Sequence, residues 1–176
     1  EVYLVRHGTT KYNAERRYYG REDEPLNETG RLQAEYLARR LRGTGIDAVY
    51  SSPLSRAVDT IRPYAEEQGL VLRLDERLIE RDGGRMSLTL IRDMYAVVPP
   101  DEMERLRINP ALFTYGGAEP AEAVYARVGR ALREICARHS GGRVCISSHA
   151  FSLRMLLAFA FGLPPRRFIT ALPNAS

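Results

Sequence analysis

Three short stretches carry the side chains best suited to chemistry: Arg6-His7-Gly8, Ser51-Ser52-Pro53 with Arg56 just after, and Ser147-Ser148-His149. Each follows an apolar run with the character of a buried strand, so each sits where a strand ends. Two histidines and two arginines at one rim suit a phosphoryl group. Guanidinium forks match its oxygens bidentately, and an imidazole in line with phosphorus can accept it as a phosphohistidine. Asn13 offers a further amide donor, and a helix starting near His149 adds backbone N–H groups and the positive end of a dipole. The leaving oxygen needs an acid. Glu80, after the third strand, is the best-placed carboxylate, with Asp82 in reserve.

Taken one at a time, these residues have plainer readings. A strand-end histidine is commonly structural, Arg56 reads as a surface helix residue, and His149 as a helix cap. Glu80 between Ile79 and Arg81 reads as half of an exposed ion pair worth about 0–1 kcal/mol. His139, before Ser140-Gly141-Gly142, reads as an exposed helix end. Their joint occurrence at strand ends favours the phosphoryl reading. The alternative, a metal centre, lacks the close His/Cys spacing of zinc sites, and Glu22-Asp23-Glu24 and Glu66-Glu67 are sequential acids whose side chains diverge.

The positioning elements alternate. Strand-like runs at 2–5, 47–50, 70–74 and 143–148 are separated by helical patterns from Glu28 to about Gly43, from Pro53 at a first turn through Tyr64–Ala65, and from about Glu119 to His139. Phe151–Phe161 is apolar on nearly every face and reads as a buried helix. Alternation predicts an α/β fold: a three-layer α/β/α sandwich with a mostly parallel sheet, whose ligands bind beyond the carboxyl ends of the strands. Residues 85–117, broken by Pro99-Pro100 and Pro110, read as a helical lid inserted into one domain spanning 1–176.

The 176 residues suit one domain, and 44% hydrophobic with 27% charged residues excludes disordered and fibrous classes. Net charge is +4, and every cation but Lys11 is arginine. The arginines alternate with acids, so no basic stripe for nucleic acid emerges. No apolar run approaches the ~20 residues of a membrane span, and no charged-then-apolar leader pattern opens the sequence. Cys136 and Cys145 lack metal spacing and read as reduced thiols of a cytoplasmic protein. No cofactor is called for, and oligomeric state is not encoded legibly.

The stretch Arg6-His7-Gly8-Thr9-Thr10-Lys11-Tyr12-Asn13 resembles the RHG(E/Q)TxxN signature of the histidine phosphatase superfamily, the phosphoglycerate mutase-like proteins. Asp23 to Gly30 with Gln33-Ala34 resembles DxPLTExGxxQA, Ser51 to Thr60 matches SSPLxRAxxT, Leu78-Ile79-Glu80-Arg81 resembles LxE(R), and Ser148-His149 resembles SHG. The resemblance implies that His7 is the phosphorylated nucleophile, that Arg6 and Arg56 bind phosphate with Asn13 and His149, and that Glu80 donates the proton. Three departures stand out. Thr9 replaces Glu or Gln, Ala150 replaces a glycine and is strained if φ there is positive, and Asp82-Gly83-Gly84-Arg85 replaces GxWEG. Asn174-Ala175-Ser176 resembles the start of a closing family strand, implying further chain.

Within such a family, a short chain with an apolar 85–117 segment fits a metal-independent phosphatase acting on a small phosphorylated metabolite. The Arg17-Tyr18-Tyr19-Gly20 stretch resembles the α-ribazole phosphatase subgroup, placing Gly20 at the substrate beside Ala150. Arg81, next to Glu80, keeps a cofactor-dependent mutase open as the alternative. A non-catalytic phospholigand-binding module is the third reading.

Overall fold

The computed structural model describes residues 1–167 and 174. Four strands, β1 (Val2–Arg6), β3 (Ala48–Ser51), β4 (Leu72–Leu74) and β6 (Val144–Ser148), form one sheet in the order β1-β6-β3-β4, with every pairing parallel. A second, two-stranded antiparallel ribbon pairs β2 (Arg17–Tyr18) with β5 (Thr89–Leu90).

Alternation of side chains along the buried strands creates the layers. On one face Val5, Val49 and Cys145 meet Leu37, Ala38 and Leu41 of helix α2 (Glu28–Leu41), and Ile61, Tyr64 and Ala65 of α3 (Ser55–Glu67). On the other, Ala48, Tyr50, Val144 and Ile146 meet Val124, Val128 and Ile135 of α6 (Ala121–Arg138), and Met155 and Leu156 of α7 (Ala150–Ala160). The result is the three-layer α/β/α sandwich expected from the sequence. Cys145 lies in this core, and burial pushes its thiol up to about 12.

Register brings the site together. Arg6 is paired with Ser148 and Ser51 with Ser147, so the carboxyl ends of β1, β6 and β3 lie side by side. The short helix α1 (Lys11–Ala14) follows β1 and begins with a capping box between Thr10 and Asn13. Residues 85–117 carry α4 (Ile91–Val97) and α5 (Pro100–Ile108), and Met94, Val98, Met103 and Phe113 form a separate apolar cluster.

Boundaries differ from expectation at two places. Helix α3 starts at Ser55 rather than in the turn led by Pro53, because Leu54 stays extended as its N-cap residue. Glu80 does not directly follow β4, since a single 3₁₀ turn at Glu76–Leu78 intervenes. His139 is half-buried, not exposed, and its Nε2 lies 3.0 Å from the Tyr50 hydroxyl.

Candidate active site

A cavity of about 150 Å³ opens at the carboxyl edge of the sheet, lined among others by Arg6, His7, Asn13, Arg56 and Glu80. His7 is 3% exposed, and its Nδ1 lies 2.7 Å from the carbonyl oxygen of Gly8. A carbonyl only accepts, so Nδ1 carries the proton and Nε2 keeps its lone pair. Burial, and after it the positive charge of Arg56, push the His7 imidazole down to about 3, so the ring is neutral at physiological pH. Nε2 has no partner among the described residues, and a neutral imidazole beside two guanidinium groups has the chemistry to attack an anionic electrophile.

The loop bearing His7 is pinned from several sides. The Gly8 N–H donates to Thr60 Oγ1 at 2.8 Å, and that hydroxyl donates to the Arg56 carbonyl at 2.7 Å. The Thr9 N–H donates to Gln33 Oε1 at 2.8 Å, and a Cβ on Gly8 would come within 2.9 Å of the Gly30 carbonyl. The Asn174 side-chain amine donates to the carbonyls of His7 and Gly8 at 3.1 and 3.3 Å and to Asn13 Oδ1 at 3.2 Å. With Asn13 Oδ1 also accepting from the Thr10 N–H, the amine of Asn13 is the group left to donate into the cavity. Ala175 and Ser176 lie outside the described residues.

Arg56 is 1% exposed, not the surface residue its isolated sequence context suggests. Its Nε donates to His149 Nδ1 at 3.2 Å, Nη1 to the Glu22 carbonyl at 2.7 Å, and Nη2 to the Gly20 carbonyl at 2.8 Å. Five N–H groups less three leaves two without a partner among the described residues, one on each terminal nitrogen. The ring of Tyr19 lies 4.8 Å from this guanidinium carbon.

His149 lies 5.2 Å from His7 between ring centroids, so the two rings meet as expected. The ring is fully buried and absent from the cavity wall, Nδ1 accepts from Arg56, and Nε2 lies 2.7 Å from Ser52 Oγ. Burial, followed by the charge of Arg56, drives its pKa well below the usual histidine value. Neutral and accepting at Nδ1, the ring donates from Nε2 to Ser52. His149 thus accepts from the Arg56 guanidinium and helps to orient it.

Glu80 folds back onto the start of α7. Its Oε1 accepts from the backbone N–H groups of Arg81 and Ser152 at 2.7 and 3.1 Å and from Ser152 Oγ at 3.2 Å, while Oε2 accepts from the Phe151 N–H at 3.1 Å. Two N–H groups of that helix end, expected to face the ligand, are spent on this carboxylate. Oε2, with a single donor, keeps room for a transferable proton. Asp82 instead caps the following turn, accepting from the Gly84 N–H at 2.8 Å, and does not line the cavity.

Gly20 lines the cavity, but its carbonyl serves Arg56. Its φ is +49°, and a Cβ at this position would stand 2.6 Å from the Gly83 nitrogen, so no side chain fits there. Ala150 forms part of the wall without strain, because the non-glycine residues with positive φ among those described are Arg16 and Leu88. Arg81 also borders the cavity, and its guanidinium donates to the carbonyls of Glu119, Pro110 and Phe113, one bond from each nitrogen. Sequence reasoning missed Thr60, Ser52 and Asn174 as site residues. Thr60 and Ser52 fall inside the SSPLxRAxxT block, which was the available signal.

Fold and site define an α/β frame with a cavity at the carboxyl edge of its parallel sheet, lined by two arginines and a histidine. A family model for the histidine phosphatase superfamily, branch 1, matches residues 2–176, and the chain belongs to that superfamily. It is 33% identical to phosphoserine phosphatase 1 of Hydrogenobacter thermophilus, covering 96% of this chain and 79% of that one. It is 34% identical to a probable phosphoglycerate mutase of Yersinia enterocolitica, covering 94% and 76%. Among solved structures it superposes on a mycobacterial glucosyl-3-phosphoglycerate phosphatase complexed with VO3, with a TM-score of 0.90, 30% identity, and 98% and 88% coverage.

Proposed function

We propose that the protein is a metal-independent phosphomonoesterase that hydrolyses a small phosphorylated metabolite through a phosphohistidine at His7. The observation that carries the reading is the neutral imidazole whose Nε2 has no partner among the described residues, at a cavity lined by Arg6 and Arg56. Nε2 attacks phosphorus, the bond to the leaving oxygen breaks, and Glu80 Oε2 supplies the proton to that oxygen. Water then attacks the phosphohistidine and gives its proton to Glu80. The P–N bond breaks, inorganic phosphate leaves, and His7 is restored. Arg6, Arg56 and Asn13 stabilise the charge on the transferring oxygens.

The cavity walls also include Tyr18, Leu106, Pro110 and Phe151. Arg17, also at the rim, already pairs with Glu15 at 2.5 Å. These walls favour an apolar or aromatic leaving part, such as the base-bearing riboside of α-ribazole phosphate, over a second acidic group of the kind a phosphoglycerate mutase grips. Release of phosphate from p-nitrophenyl phosphate in the presence of EDTA, abolished by His7→Ala, is the test. Loss of activity on chelation, or activity retained in His7→Ala, refutes the mechanism. Interconversion of phosphoglycerates dependent on bisphosphoglycerate replaces hydrolysis by the mutase reading.

A further inference from the structure

Arg81 is 3% exposed although it carries a full positive charge and borders the cavity. Its donors are distributed over one region: Nε donates to the Glu119 carbonyl at 2.6 Å, Nη1 to the Pro110 carbonyl at 2.7 Å, and Nη2 to the Phe113 carbonyl. Pro110 and Phe113 belong to the 85–117 segment, and Glu119 lies where that segment leads into α6. The guanidinium carbon also sits 4.5 Å from the centre of the Phe151 ring, in the first turn of α7. Its backbone N–H donates to Glu80 Oε1.

One residue thus links three things that a phosphate ester must fit between. Pro110 is a wall contributed by the 85–117 segment, Phe151 is a wall contributed by α7, and Glu80 is a carboxylate of the same cavity. Desolvated guanidinium donors on backbone carbonyls are strong and directional, and an ammonium, whose three N–H groups share one nitrogen, does not span acceptors set around a planar fork.

We propose that Arg81 is a positioning residue that fixes the spacing between Pro110 and Phe151 and so selects leaving groups by bulk, while holding Glu80 at the leaving oxygen. The proposal rests on the phosphomonoesterase reading. It predicts that the dimensions of the cavity, rather than the phosphate grip of Arg6 and Arg56, change when the fork is lost.

The test measures kcat and KM of the full chain, with Arg81→Lys and Arg81→Met, on alkyl and aryl phosphomonoesters graded in bulk. The expected result is a ratio of kcat/KM between bulky and small substrates that shifts about tenfold or more, mostly in KM, with Lys recovering only part of it. Inorganic phosphate, a competitive inhibitor gripped by Arg6 and Arg56, should keep its inhibition constant. A uniform fall in kcat/KM across the series overturns the proposal, as does loss of a cooperative melt in both variants, which makes Arg81 a determinant of folding alone. A wild-type chain that turns over none of the esters defeats the phosphomonoesterase reading instead, so the two failures are distinguishable.

Discussion

Replacing Arg56 by lysine keeps the charge beside His7 and removes the fork. The guanidinium holds three acceptors in diverging directions, His149 Nδ1 and the carbonyls of Glu22 and Gly20. An ammonium on a shorter reach serves one of them, so two charge-assisted bonds are lost at about 1.5–3 kcal/mol each. The expected destabilisation is about 3–6 kcal/mol, and for a chain of this length that lowers Tm by about 6–24 °C. Activity falls separately, because the two remaining N–H groups no longer meet the phosphoryl oxygens. Loss of one such donor costs about 10²–10³ in kcat. Since Arg56 is second only to burial in lowering the His7 pKa, Lys should preserve the acid limb of the pH–rate profile while Met moves it upward. Urea melts and steady-state kinetics on p-nitrophenyl phosphate read all three effects. A melt within about 0.5 kcal/mol of wild type, as for an ordinary surface change, or activity within a few-fold of wild type, refutes the reasoning.

Three further outcomes follow from the same geometry. Both His7 and His149 have lowered pKa values, His7 at about 3. The unfolded chain therefore binds more protons below about pH 6.5, so stability is full above that pH and falls toward pH 3 by about 1.4 kcal/mol per unit for His7, with His149 adding in the same direction; urea melts that are flat between about pH 4 and 6.5 contradict this. Glu80→Gln should slow turnover of poor leaving groups far more than of good ones such as p-nitrophenolate, and equal slowing removes Glu80 from the acid role. Gly20→Ala, forced into positive φ against the Gly83 nitrogen, should cost about 1–3 kcal/mol and weaken phosphate inhibition by shifting the carbonyl under Arg56; wild-type values for both exclude that coupling.

Much of this was legible because strand ends are punctuated. The apolar runs that stop at Arg6, Ser51 and Ser148 placed the reacting groups on one rim, and helical spacing gave α2, α6 and α7 within a few residues. What the sequence concealed was where each polar group's hydrogen bonds go. Arg56 looks like any helix-surface arginine until its three acceptors, two of them loop carbonyls near Gly20, close around it. Glu80 looks exposed beside Arg81, yet it reaches about 70 residues along the chain to the N–H groups of Phe151 and Ser152. His149 carries the same residue type as His7 and sits beside it, but its ring nitrogens meet Arg56 and Ser52. Such assignments depend on non-local donors and acceptors, which no local periodicity records.

The central claim is that Nε2 of His7 accepts the phosphoryl group. Quenching the enzyme in alkali during turnover of p-nitrophenyl phosphate, followed by peptide mass spectrometry, tests it most directly. The account predicts an acid-labile, alkali-stable phosphoryl group on the peptide bearing His7, absent from His7→Ala. A phosphoryl group on any other residue, or none in an enzyme that is turning over, contradicts it.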